Sequence, residues 1–346
     1  MIARLYSETF LHHGVPWHPE NAERLRAIVQ RLTDNGLWHE LAPLAFEAAD
    51  WERLMWVHDE WYLEDLEAAS RAGGESFNAD TIATAETWET ARLAAGACME
   101  AAEAVLGSVG LQALCLVRPP GHHALPGRAY GFCFLNNPAL AAEAALRSGA
   151  ARVAIFDFDG HHGNGVQEIF YPRGEVLYCS LHQREIFPLT GTVDELGVDA
   201  GLGLNVNLPL PQGARGEHYR RAWEELFEPL IRRFSPDLLI LDAGYDGHWR
   251  DPLTGLALEA GDYHDLVSRA AALAEEVCAG RVQVILEGGY DPPVLALSVE
   301  NTVLALRGEP IQEQDQPPPE AHPAQRAKVE EYLEHAIATH RGRLGI

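Results

Sequence analysis

The amino-acid sequence predicts an α/β fold, with three αβα layers around a mainly parallel central sheet and one domain spanning 1–346. Two observations carry this. Short apolar runs recur along the chain: ALCLV (113–117), RVAIFD (152–157), VLYCSL (176–181), LNVNLPL (204–210), DLLILD (237–242) and RVQVIL (281–286). Between most of them lie longer segments of helical character, at 84–106, 138–147, 216–234 and 262–279. Strands that alternate with helices need crossover connections, and crossovers build a largely parallel sheet covered on both faces.

The remaining segments are placed in turn. No repeat occurs at a fixed period, which excludes a solenoid. GEPIQEQDQPPPEAHPA (308–324) is expected to be an extended linker, because its prolines cannot continue a helix. QRAKVEEYLEHAIATH (325–340) is expected to form an amphipathic helix that packs back on the body.

Composition narrows the function. With 47% hydrophobic residues the chain has ample material for a core. No stretch approaches the roughly 20 consecutive apolar residues of a membrane helix. The start, MIARLYSETFLHHG, lacks the apolar core and cleavage site of a signal peptide. The five cysteines, Cys98, Cys115, Cys133, Cys179 and Cys278, are scattered and never form a C-x-x-C pair. Reduced, buried thiols and a cytoplasmic location are therefore expected. A formal charge of −25, from 51 acidic against 26 basic residues, argues against a nucleic-acid partner and suits cationic substrates.

In such a sheet, ligands bind beyond the carboxyl ends of the strands. Four unusual loops stand there: RPPGHHA (118–124), DFDGHHGNG (157–165), AGYDGHWRDPL (243–253) and EGGYD (287–291). Asp157, Asp159 and His161 sit two positions apart, and an extended backbone would point them to one side. Asp159 and His161 can then reach one ion together, with Asp246 the best candidate for a third ligand. Two carboxylates and one imidazole around an open position describe a catalytic divalent-metal site. Zinc is the default, and oxygen-rich ligation also accommodates Fe(II) or Mn(II). For a single Asp the reading as a strand-end cap is the better one. For the cluster it is not, since several carboxylates beside apolar strands are costly without a cation or hydrogen bonds.

His122 and His123 follow a Pro-Pro-Gly turn. Asp157 and Asn164 offer each of them a partner, and a charged Asp raises a histidine's pKa far more than a neutral Asn does. Tyr290 follows two glycines that let the backbone approach the site and aim the phenol at a developing oxyanion. Phe132 and Phe187 sit beside glycine and proline turns, where they could wall a narrow apolar channel.

RPPGHHA, GFCFLNN, DFDGHHGNG and LEGGY, in this order and after HPENAERL near residue 18, resemble the zinc-dependent histone deacetylase and acetylpolyamine amidohydrolase superfamily, with its arginase-like α/β fold. The resemblance implies zinc ligands Asp159, His161 and Asp246, His123 as general base and acid, and His122 as its electrostatic partner. Tyr290 would polarise the acyl carbonyl. Gly131, Phe132, Phe187 and Leu253 would line the substrate channel. A structural potassium ion would use Asp157, Ser180 and the main-chain carbonyls of Asp159, His161 and Leu181. Asn164 replaces the aspartate of class I enzymes, so the chain looks closer to class II and bacterial members. Tyr290, instead of the histidine of weakly active class IIa enzymes, favours true deacetylation. Leu253 replaces the gatekeeping glutamate of the eukaryotic polyamine deacetylase. The bacterial polyamine enzymes are dimers with a long insertion before RPPGHH; a homo-oligomer is therefore one expectation, although 58–112 is too short for that insertion. The function expected is zinc-dependent removal of acetyl or short acyl groups from acetyl-lysine-like or acetylpolyamine amines. The competing readings are an arginase-like ureohydrolase with two manganese ions, and a non-catalytic binder of acetylated ligands.

Overall fold

A computed structural model describes residues 1–345. Eight strands form one sheet: β1 (Ile2–Leu5), β2 (Ala42–Pro43), β3 (Gln112–Cys115), β4 (Val153–Asp157), β5 (Val176–Gln183), β6 (Asn205–Leu210), β7 (Leu238–Ala243) and β8 (Val282–Leu286). Their order is β2-β1-β3-β8-β7-β4-β5-β6, and every neighbouring pair is parallel. The six expected strands are all present. β1 and β2 lie outside that set because four and two residues give too little apolar patterning to register.

Helices cover the sheet in two layers. The helix Thr87–Gly107 packs on Asn137–Arg147, and together they reach β3, β8, β4 and β7. Ala260–Cys278 packs on Pro292–Arg307 and on β7, and Pro292–Arg307 in turn holds Glu23–Asp34. With helices on both sides, the central strands are buried throughout: Val153, Ile155, Leu239 and Ile240 expose none of their surface. That burial is why the strand segments read as unbroken apolar runs rather than alternating ones.

The C-terminal helix runs Pro323–Leu344, longer than its amphipathic core suggests. Val329, Leu333, Ala336 and Ile337 are its buried stripe, and it lies against β6. Between Gly308 and His322 there is neither helix nor strand.

The strand order places the site. β3, β8, β7 and β4 are four consecutive strands at the centre of the sheet, although in sequence they are the third, eighth, seventh and fourth. At about 4.8 Å between neighbours, their carboxyl ends fall within roughly 15 Å on one edge. The four unusual loops leave from these ends.

Candidate metal centre and catalytic pocket

Asp157 is the last residue of β4, paired in register with Asp242 of β7 and Ser180 of β5. Beyond it the chain bends at Gly160 and His161 instead of continuing extended. The Asp159 N–H donates to Asp157 Oδ1 at 3.1 Å, and the His161 N–H donates to Asp159 Oδ1 at 2.8 Å. Side chain-to-backbone bonds of this kind replace the strand ladder with tight turns. The simple two-residue alternation is thus overruled: Asp157 turns away to the His122 side, while Asp159 and His161 converge with Asp246.

Single ligand atoms of Asp159, His161 and Asp246 lie within 4.8 Å of one another, with both carboxylates buried and the His161 ring 12% exposed toward the pocket. His161 Nδ1 is 2.6 Å from Asp246 Oδ2 and 3.4 Å from Asp159 Oδ1. The outer oxygens are held by backbone: Gly160 N–H donates to Asp246 Oδ1 at 2.6 Å and Gly288 N–H to Asp159 Oδ2 at 2.8 Å. Gly288 is required here, since a Cβ on it would stand 2.6 Å from Asp159 Oδ2.

The electrostatics fit a cation. Burial pushes the Asp159 carboxyl up, but His122 and His161 outweigh it and hold the group below the usual carboxylate range. Burial and the Asp159 charge push Asp246 upward. Burial lowers the basicity of His161, and the two carboxylates more than reverse this, lifting it to about 10. The space between the three groups therefore calls for positive charge, which a proton on Nδ1 or a metal ion displacing it can supply. One nitrogen and two oxygens around an open side match the donor set of a catalytic zinc site.

A second buried cluster lies deeper and joins His122, Asp157 and Asp242. His122 Nδ1 is 3.1 Å from Asp157 Oδ2, which also accepts from the Tyr178 hydroxyl at 2.7 Å. Burial disfavours the charged ring, but Asp159 and Asp157 overcome it and keep His122 protonated. His123 contrasts with its neighbour. Its Nδ1 faces Asn164 Oδ1 at 2.8 Å, and burial, with His122 and His161 close by, holds it well below the ordinary histidine value.

Asp242 and Glu287 were not singled out from sequence, yet both are fully buried here. Glu287 Oε2 accepts the N–H groups of Gly121 and His122 at 2.7 and 3.2 Å, which fixes the tandem-histidine turn from below. Burial drives Asp242 far above the carboxylate range, with the Glu287 charge adding to it. Asp242 is thus the neutral acid of the pair, and the Glu287 carboxylate beside it favours that protonated form. The signal was present in sequence: Asp242 ends an apolar strand just as Asp157 does.

Above the metal centre a pocket of about 220 Å³ is lined by Asp80, His123, Gly131, Phe132, His161, Phe187, Leu253 and Tyr290. The Phe187 ring stands edge-on to His123, with ring centroids 5.0 Å apart, and Phe132 stands edge-on to Tyr290 at 5.7 Å. Gly131, at φ +53°, is a point of closest approach: a Cβ there would meet His123 Cδ2 at 2.4 Å and Phe187 Cε1 at 2.9 Å. The Tyr290 N–H donates to Asp251 Oδ2 at 2.6 Å, and burial holds its phenol well above its ordinary pKa, hence neutral. Asp80, at the lip, lay in no motif and is brought to the pocket only by the fold. A larger groove of about 670 Å³ beside Lys328 and Tyr332 also carries Glu185, Glu331 and His335, but among the described residues these form no metal-holding group, so size alone does not select the site. Ser180 and Leu181 lie on β5 beside Asp157, with Ser180 Oγ 2.8 Å from His182 Nδ1.

Comparison with known proteins identifies the family. The histone deacetylase domain family matches residues 18–306. A probable deacetylase of Archaeoglobus fulgidus is 41% identical over 287 residues, covering 82% of this chain and 80% of the relative. A histone deacetylase-like amidohydrolase of Pseudomonas aeruginosa is 38% identical over 326 residues, 91% of this chain and 86% of that one. The crystal structure of the HDA15 HD domain superposes with a TM-score of 0.87 at 33% identity, covering 99% of this chain and 98% of that one. Among the described residues, no helix is long and apolar enough to cross a membrane. The three-layer fold, the buried carboxylate–imidazole centre and these likenesses together make the chain a member of the histone deacetylase family of deacetylases and amidohydrolases.

Proposed function

We propose that this chain is a zinc-dependent amide hydrolase that removes acetyl or short acyl groups from acetyl-lysine-like or acetylated polyamine substrates. The observation that carries the reading is the convergence of Asp159, His161 and Asp246 directly beneath a pocket that His123 and Tyr290 also line. Asp159, His161 and Asp246 would hold the ion. When bound, it would supply Lewis-acid polarisation of the acyl carbonyl and a more acidic attacking water.

The chain's own groups supply the rest. His123 donates Nδ1–H to Asn164, which leaves the Nε2 lone pair to take a proton from the attacking water. Its depressed basicity keeps it neutral and ready at neutral pH. Once protonated it returns that proton to the departing amine. His122, held charged by Asp157 and Asp159, provides fixed positive charge beside the reacting centre. The Tyr290 hydroxyl donates to the developing oxyanion. Gly131, Phe132 and Phe187 admit a slender aliphatic chain and little else.

Asp157, Ser180 and the carbonyls of Asp159, His161 and Leu181 form the proposed potassium position behind the metal centre. The net charge of −25 and Asp80 at the lip favour cationic amines. Five free, buried cysteines suit a reducing compartment such as the cytoplasm.

The test is kcat/KM on an acetyl-lysine peptide, acetylputrescine and acetylspermidine, with chelation, zinc or Fe(II) add-back, and metal counted per chain. One catalytic metal ion and hydrolysis restored by the metal are expected. Two manganese ions per chain with urea release would establish the ureohydrolase, and tight binding without turnover the non-catalytic binder.

A further inference from the structure

The segment 308–322, which reads as a plain linker, is tied to the body at five places. The Glu309 carbonyl accepts from His264 Nε2 at 2.8 Å, and Glu313 pairs with Arg31 at 2.8 Å. Asp315 pairs with His248, the Gln316 carbonyl accepts from Trp249 Nε1 at 3.0 Å, and the Pro319 carbonyl accepts from Arg215. The two central ties land on one short loop, 246–253. That loop begins with the metal-ligand candidate Asp246 and ends with the channel residue Leu253.

The His248 contact has a defined sense. The Arg250 N–H donates to His248 Nδ1 at 3.1 Å, so the ring proton sits on Nε2 and is donated to the Asp315 carboxylate. His248 is wholly buried and the Asp315 side chain is only 9% exposed, which makes this an internal bond rather than a surface ion pair. From His248 the path continues inward. Its carbonyl accepts the Asp251 N–H at 2.9 Å. Asp251 Oδ1 takes the Leu253 N–H at 2.9 Å, and Oδ2 takes the Tyr290 N–H at 2.6 Å. One loop therefore sets the places of Asp246, Leu253 and Tyr290, and the strap clamps that loop from outside.

We propose that Asp315, assisted by Gln316, is a positioning residue: through His248 it fixes loop 246–253 and thereby holds Asp246 against Asp159 and His161, and Tyr290 over the pocket. This rests on the proposed metal centre for its ligand and on the proposed hydrolysis only for its kinetic readout. Groups that orient metal ligands from one layer out commonly control affinity by about 10- to 100-fold.

The experiment compares the full-length protein with Asp315→Ala, Asp315→Asn, Glu313→Ala and Trp249→Phe. Zinc affinity is measured by competition with a chromogenic chelator, and kcat and KM on an acetyl-lysine peptide. Asp315→Ala should weaken zinc binding by about tenfold and lower kcat more than it raises KM. Asp315→Asn, which keeps an acceptor for His248 Nε2–H, should restore both. Glu313→Ala cuts the strap's tie to Arg31, away from the loop, and should leave both unchanged. Trp249→Phe removes the Gln316 bond alone and should weaken zinc binding by a smaller factor, so it tests the strap even if Asp315→Ala does not fold. Unchanged zinc affinity in both Asp315→Ala and Trp249→Phe would overturn the proposal, as would an equal loss in Glu313→Ala. A wild-type protein that binds zinc but hydrolyses none of the substrates would defeat the functional reading, and the chelator competition would still decide the strap.

Discussion

His122 and His123 are adjacent in the chain, with ring centroids 4.0 Å apart, and both are buried, yet their environments prepare them for opposite states. His122 meets the Asp157 carboxylate and stays charged; His123 meets the Asn164 amide and stays neutral. Burial acts the same way on both, so the surrounding charges decide: Asp159 and Asp157 raise His122, whereas His122 and His161 add to the depression of His123. The difference assigns the labour: the charged ring contributes fixed field, and the neutral one moves a proton.

The strongest way to break this comparison is to remove the proton carrier. His123→Ala should lower kcat by about 10²- to 10⁴-fold with the metal content retained, read in a steady-state assay with metal analysis. Near wild-type turnover would end the assignment of His123 as the base. Tyr290→Phe should cost about 10²- to 10³-fold in kcat, as loss of an oxyanion donor does.

Gly131→Ala attacks the geometry instead of the chemistry. The added methyl meets the His123 and Phe187 rings, and displacing the base by even an ångström should cost about 10²-fold in kcat/KM. If activity survives, the pocket wall is softer than its contacts indicate.

Asn164→Asp makes the two dyads alike and so sharpens the contrast. His123 must be neutral to act, and its pKa is depressed, so the acidic limb of the wild-type pH profile should fall below the ordinary histidine value of about 6.5. A carboxylate at 164 raises that pKa, and the acidic limb should move to higher pH. A pH profile of kcat/KM that does not move would mean that His123 does not carry the limiting proton.

The smallest expected effect lies beneath the dyads. Asp242→Asn is a neutral isostere of the protonated acid and should leave urea-denaturation stability nearly unchanged. Asp242→Ala removes the protonated group beside the buried Glu287 carboxylate and should cost about 1–3 kcal/mol.

Much of this was legible in the sequence because each clue was local. Strand VAIFD is apolar at every position before its terminal Asp157, as a strand covered on both faces must be, and GHHGNG and GGYD announce their turns through glycine. Asp159, His161, Asp246, His122, His123 and Tyr290 all sit beside such signals. The contributions of Glu287 and Asp315 were not legible. Each acts through a partner far away in the chain: Glu287 reaches Gly121 across 166 residues, and Asp315 reaches His248 across 67.

The sequence by itself determined the crossover fold, the mouths of the strands as the place for chemistry, and the residue types that would perform it. Only the tertiary structure decided which carboxylates face which imidazoles. That choice depends on the order 3-8-7-4 at the centre of the sheet and on turns closed by Asp157 and Asp159. Strand order and side-chain pairing are long-range outcomes of packing, and protonation follows from them because charge in a buried site is governed by whatever lies within a few ångströms.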